Sequence, residues 1–124
     1  MKRLRLTLML LAAFGLCALP ARAAEFDRTC SLTGGSAQRL SVVMAACGYV
    51  GSFALKELTI ANPDDAANDI YIGQAGVDST TGYRRRPGDS KTYHSTGGTD
   101  VIQAADKYLY VATTQNVMIS ARAQ

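Results

Sequence analysis

The sequence predicts an all-β protein, a small antiparallel β-sandwich or barrel of about six short strands behind an N-terminal export signal. Two observations carry the fold. Past Gly48 apolar residues alternate with polar ones in short runs. Clusters of Gly, Pro, Asn, Asp and Ser break those runs about every ten residues, the spacing of a sandwich. The third observation is length: 124 residues make one domain.

The chain opens Met1-Lys2-Arg3-Leu4-Arg5, carries no charge from Leu6 to Leu19, and continues with Pro20 and Ala21-Arg22-Ala23. A basic start, an apolar stretch and a small-residue cleavage site make residues 1–23 a secretory signal. The apolar run is shorter than the roughly 20 residues that span a bilayer. Lipidation at Cys17 is the alternative. Leu16 stands where a small residue normally precedes a lipidated cysteine, and the Ala21-Arg22-Ala23 site lies downstream. The expected destination is periplasmic or extracellular, with no transmembrane segment after cleavage.

Cleavage removes four of the 13 basic residues and none of the 10 acidic ones, leaving nine against ten. A chain so balanced has no overall basic field to recruit nucleic acid. Two cysteines remain, Cys30 and Cys47, and an even count in a small exported chain points to a disulfide. Such a link would contribute about 3 kcal/mol by loop entropy. Two unpaired buried thiols are the alternative. Residues 24–48 then form an N-terminal segment tied by the disulfide to a sandwich over 49–124.

Residues 24–36 are polar, include Gly34-Gly35-Ser36, and predict a mobile lead-in. From Gln38 to Cys47 two patterns compete. Leu40, Val43, Met44 and Cys47 have helical spacing, whereas Val42-Val43 suits a strand. A short strand followed by a loop is preferred. Phe53 to Ala61 predicts a strand with Leu58 and Ile60 on one face. Leu55 is out of phase with them, which places a bulge near Lys56-Glu57. Asn62-Pro63-Asp64-Asp65 breaks it.

Asp69 to Gly73 alternates again, with Ile70 and Ile72 inward and Tyr71 outward. Turns follow at residues 78–82 and at Arg86-Pro87-Gly88-Asp89. Ser90 to Ser95 predicts a strand carrying Tyr93, ended by Gly97-Gly98. Lys107 to Thr113 is apolar on both faces, as a central strand is. Asn116 to Arg122 closes the chain, with Val117, Ile119 and Ala121 sharing a face.

Little in this pattern points to catalysis. His94 is the only histidine, and no G-x-S-x-G frame positions Ser90 or Ser95 beside it. One histidine and a disulfide leave too few ligands for zinc. Asp64, Asp65 and Asp69 lack the loop of a calcium site and predict an acidic solvated turn. No enzyme activity, cofactor or metal is expected. The one concentrated charge is Arg84-Arg85-Arg86, beside Tyr83 and just before Pro87-Gly88. Tyr83, Arg84, Arg85 and Arg86 are the candidate binding residues, exposed at a chain reversal and suited to phosphate, carboxylate or acidic sugar. A charged edge that blocks sheet-to-sheet pairing is the competing explanation.

In order along the chain come Leu58-Thr59-Ile60-Ala61-Asn62-Pro63, Ile70-Tyr71-Ile72-Gly73, Val77, Thr81-Gly82-Tyr83, Pro87-Gly88-Asp89, Leu109-Tyr110-Val111 and Val117-Met118-Ile119. Together with Gly35 to Ser41 upstream, this succession resembles a family of small β-sandwich proteins of tailed phages and prophages. The resemblance covers residues 33–124. Arg85 stands where the pattern of that family has an apolar residue. The likeness implies a sandwich fold and a decoration, head-fibre or tail-attached role without enzymatic activity. Gly35 to Ser41 resembles the short first strand of that family, which favours the strand reading of Gln38 to Cys47. Combined with the signal peptide, the likeness implies a phage-derived binding or structural module used outside the cytoplasm, its partner an unidentified protein or an anionic surface such as a glycan or lipopolysaccharide. A virion structural protein with an unusual leader is the alternative. A small secreted enzyme or inhibitor ranks below both.

Overall fold

A computed structural model describes residues 25–96 and 100–123. The proposed signal peptide and the Gly97-Gly98 strand end lie outside the described residues. The chain forms strands β1 (Glu25–Leu32), β2 (Gln38–Arg39), β3 (Ala54–Ala61), β4 (Ile70–Gly73), β5 (Tyr83–Arg85), β6 (Ser90–His94), β7 (Ile102–Gln103), β8 (Tyr108–Val111) and β9 (Gln115–Ala123). One helix, α1 (Leu40–Ala46), and a single 3-10 turn (Ala104–Asp106) complete it. The first sheet runs β1-β9-β3-β6, with β7 also on β3, and the second runs β2-β8-β4-β5. Every pairing is antiparallel. The fold is all-β and sandwich-like, as the alternating pattern predicts. It holds more strands than the six expected, the additions being β1, β5 and the two-residue pieces β2 and β7.

The core lies between the sheets. Leu32, Leu55, Leu58, Val117 and Ile119 from the first meet Ile70, Leu109 and Val111 from the second, all essentially without solvent contact. In β3 the pairing register shifts between Leu55 and Glu57. The extra residue of that bulge turns Leu55 inward along with Leu58 and Ile60. Strands β4 and β9 likewise face as their alternation predicts, and β8 lies inside its sheet between β2 and β4.

Three expectations are corrected. Residues 25–32 are a full-length strand of the first sheet, not a mobile lead-in. Phe26, Cys30 and Leu32 point inward while Glu25, Asp27, Thr29 and Ser31 meet solvent, so a polar composition conceals a half-buried strand. Residues 40–46 form a helix, not a strand with a loop. Helical spacing puts Leu40, Val43 and Met44 in the core and leaves Val42 outside, whereas a strand would bury Val42 with Leu40. Burial thus outweighs the strand preference of two valines. Gly48, at φ +100°, ends the helix in a Schellman turn. Its amide donates to the Ala45 carbonyl and that of Tyr49 to Met44. The third correction concerns Tyr83 to Arg85, expected at a chain reversal, which form edge strand β5 beside β4.

Cys30 and Cys47 are disulfide-bonded, their Cα atoms 5.5 Å apart. The bond ties the end of α1 to edge strand β1, a link that requires an oxidising environment. Among the described residues no helix is long and apolar enough to cross a membrane.

Candidate functional site

The second sheet positions the arginines. Tyr83 lies opposite Ile72, Arg84 opposite Tyr71 and Arg85 opposite Ile70, and directly opposed residues share a face. Arg84 therefore projects from the outer surface, where its Nε meets Asp69 Oδ2 at 2.5 Å. Arg86, in the following turn, is exposed. Tyr83 is 74% exposed because no strand continues the sheet beyond β5. Arg85 departs from the expected exposure. It takes the inward-facing position and is half-buried, and its Nε is buried without a hydrogen-bond partner. The triplet is thus divided between two surfaces.

Register assembles on the outer surface what the sequence scatters. Tyr110 lies opposite Tyr71, and Tyr71 opposite Arg84. The Tyr71 and Tyr110 rings are 6.2 Å apart, tilted by 55°. Two residues before Tyr110 on the same face, Tyr108 lies opposite Arg39 of β2. Arg39 stacks 5.5 Å from the Tyr108 ring centre. Its Nε and Nη2 donate to the Tyr108 hydroxyl at 2.9 and 2.7 Å. Half-exposed Tyr71, Tyr108 and Tyr110 thus form a strip with an arginine at each end, crossing four strands over about 14 Å at the usual strand spacing. Of these five residues, sequence reasoning singled out only Arg84 as a binding residue; the outward direction of Tyr71 was the available signal for the rest.

The inner side of the same edge gathers more cations. In the first sheet Tyr93 lies opposite Leu58 and Lys91 opposite Ile60, so both point between the sheets. Lys107 sits two residues before buried Leu109. The Lys107 Nζ is 4.0 Å from the Tyr93 ring centre and that of Lys91 5.5 Å. Burial raises the Tyr93 hydroxyl above the ordinary tyrosine range, with Arg85 acting against it and Tyr83 with it. Burial also lowers the Lys107 ammonium; Asp106 opposes that effect and Lys91 adds to it.

A buried asparagine sets the corner where the chain passes from β5 to β6. Asn62 Nδ2 donates to the carbonyls of Asn68 and Arg85 at 2.8 and 3.0 Å, and its Oδ1 accepts from Gln115 Nε2 at 2.9 Å. Its backbone amide donates to Asp89, and its carbonyl accepts from Gly88, whose φ of +86° suits only glycine. The predicted strand breaker is therefore also a fastener.

The remaining sequence candidates are scattered. His94 is exposed, opposite Glu57 on the outer face of the first sheet. Ser95 donates to the Asp100 carbonyl. Asp69 is engaged by Arg84, while Asp64 and Asp65 lie exposed in a turn. Among the described residues no group of three His, Cys, Asp or Glu side chains is placed to hold a metal ion. No known protein family, curated protein or solved structure matches the chain.

Proposed function

We propose that this is a non-catalytic exported binding module that attaches to an anionic glycan or lipopolysaccharide through the outer face and β5 edge of its second sheet. The observation that carries the reading is the outer-face tyrosine strip flanked by Arg39 and Arg84, with exposed Tyr83 and Arg86 along the β5 edge beside it. Tyrosine offers a rigid apolar face with a polar tip, which suits the apolar face and hydroxyl rim of a sugar ring. Guanidinium forks bind carboxylate and phosphate oxygens in pairs. The disulfide supports export, because such bonds persist outside the reducing cytoplasm. The phage resemblance supports descent from a virion module reused at a cell surface.

Retention of purified protein on immobilised lipopolysaccharide and on an acidic polysaccharide, against a neutral one, tests this. Binding to the acidic surfaces should weaken as salt rises, and Arg84→Ser/Arg86→Ser should weaken it with the fold intact. Equal retention of that variant would end the assignment. The virion reading is favoured by the order of the sequence motifs. Recovery of the protein in purified phage particles would select it instead.

A further inference from the structure

We propose that Lys91 and Lys107, which approach the ring of Tyr93, and Arg85 of edge strand β5 form a receptor at the unclosed edge between β5 and β6 for one small oxyanion: a phosphate, sulfate or carboxylate group. The inference rests on the reading of this edge as an anionic-partner surface and names the group that the edge takes. Lys91 of edge strand β6 and Lys107 on the approach to β8 converge on the half-buried Tyr93 ring, and Arg85 of the other edge strand, β5, acts on the charge of its hydroxyl. Like charges brought together under partial burial repel, and that arrangement calls for a counter-charge.

The described ion pairs, Arg84 with Asp69 and Arg122 with Glu57, involve none of the three. Asp106 is the nearby carboxylate that favours the charged form of Lys107. Arg85 adds the most specific sign. Its Nε lies buried with no acceptor, though most buried polar groups have one. An oxyanion held between Arg85 and the two ammonium groups would supply that acceptor through a charge-assisted hydrogen bond. The phenol of Tyr93 would offer a neutral donor, its proton held more firmly by burial.

The test is a nitrogen-15 NMR titration of the disulfide-bonded protein at low ionic strength with inorganic phosphate, sulfate and glucuronate in separate arms. Saturable shifts at Arg85, Lys91, Tyr93 and Lys107 are expected. The ranking of the arms separates a tetrahedral oxyanion from a planar carboxylate. Lys91→Met and Lys107→Met, which keep the aliphatic stem over Tyr93, should each weaken the preferred anion at least fivefold. Arg122→Ser, placed on the outer face of the first sheet, should leave it unchanged.

Absence of saturable shifts in all three arms overturns the proposal, as does equal weakening by Arg122→Ser. Self-association of Lys91→Met without anion binding would assign the cations to guarding the sheet edge. Small-anion binding with no retention on lipopolysaccharide or acidic polysaccharide would remove the partner reading and leave the receptor. Retention without small-anion binding would do the reverse.

Discussion

Edge strands β1 and β5 each carry an arginine at an inward-facing position, Arg28 opposite Ile119 and Arg85 opposite Ile70. The molecule treats the two differently. Arg28 escapes to solvent, lies 6.0 Å from the Phe26 ring centre and donates to the Cys47 carbonyl at 3.3 Å. Helix α1 and the disulfide lie against the same strand, so that edge is closed. Arg85 has no such arrangement. It remains half-buried and acts on the charge of the Tyr93 hydroxyl, whose ring two lysines approach. One edge satisfies its arginine internally, and the other leaves the Arg85 Nε buried without an acceptor. Groups left unsatisfied where the fold has the means to satisfy them are characteristic of binding sites.

The largest expected effect breaks the closed edge. Cys30→Ser/Cys47→Ser should cost about 3 kcal/mol, a fall of roughly 12–20 °C in Tm for a domain of this size. Anion binding at the opposite edge should survive at temperatures where the variant remains folded. A loss below about 1 kcal/mol would show that α1 holds β1 without the bond.

Next is the corner behind the open edge. Asn62→Leu leaves the Arg85 carbonyl without this donor and the Gln115 amide with only its longer bond to the Asn68 carbonyl, at a cost of about 2 kcal/mol. Hydrogen exchange should accelerate around Arg85 to Asp89 and stay slow in β1. Uniform acceleration would place Asn62 in the global core and not in this corner.

The two arginines give the sharpest contrast. Arg28→Met should lower stability by about 1 kcal/mol, through a lost stacking contact and hydrogen bond. Arg85→Met should leave Tm unchanged or raise it, since it removes a half-buried donor without an acceptor. A comparable loss from both would mean that the edges are alike.

The smallest effect is a pH dependence. Lys107 has a lowered folded-state value, so the folded chain gives up this proton before the unfolded chain does. Below that value the penalty for burying the charge is fully present. Between it and about 10.4 the unfolded chain binds more protons, and stability rises with pH. Denaturant melts should show wild type gaining on Lys107→Met across this alkaline window and levelling above it. The raised Tyr49 and Tyr93 values act with opposite sign there but occur in both proteins. A flat difference would mean that Lys107 is fully hydrated.

How far the sequence discloses this comparison depends on how local each feature is. The bulge of β3 is legible because Leu55, Leu58 and Ile60 lie within a few residues and one extra position reconciles them. Strand β1 is hidden because its outer face is polar and Arg28 interrupts the inward row of Phe26, Cys30 and Leu32. In α1 the adjacent valines weigh locally for a strand, while the burial that decides for a helix is tertiary. The arginine triplet is visible as charge, but its division between two surfaces depends on β5 pairing with β4. Tyr71 and Tyr110 are 39 residues apart and meet only through the pairing of β4 with β8. The approach of Lys91 and Lys107 to Tyr93 requires both sheets at once, and no spacing rule along one chain announces it.

The central claim is that the edge formed by β5 and β6, with the neighbouring outer face, is the binding surface, while the β1 edge is structural. Hydrogen–deuterium exchange of the disulfide-bonded protein with and without saturating lipopolysaccharide or acidic polysaccharide tests it most directly. The account predicts new protection in residues 38–39, 71–73, 83–94 and 107–110 and none in residues 25–32. Protection confined to residues 25–32, or no change anywhere under conditions of demonstrated binding, would contradict it.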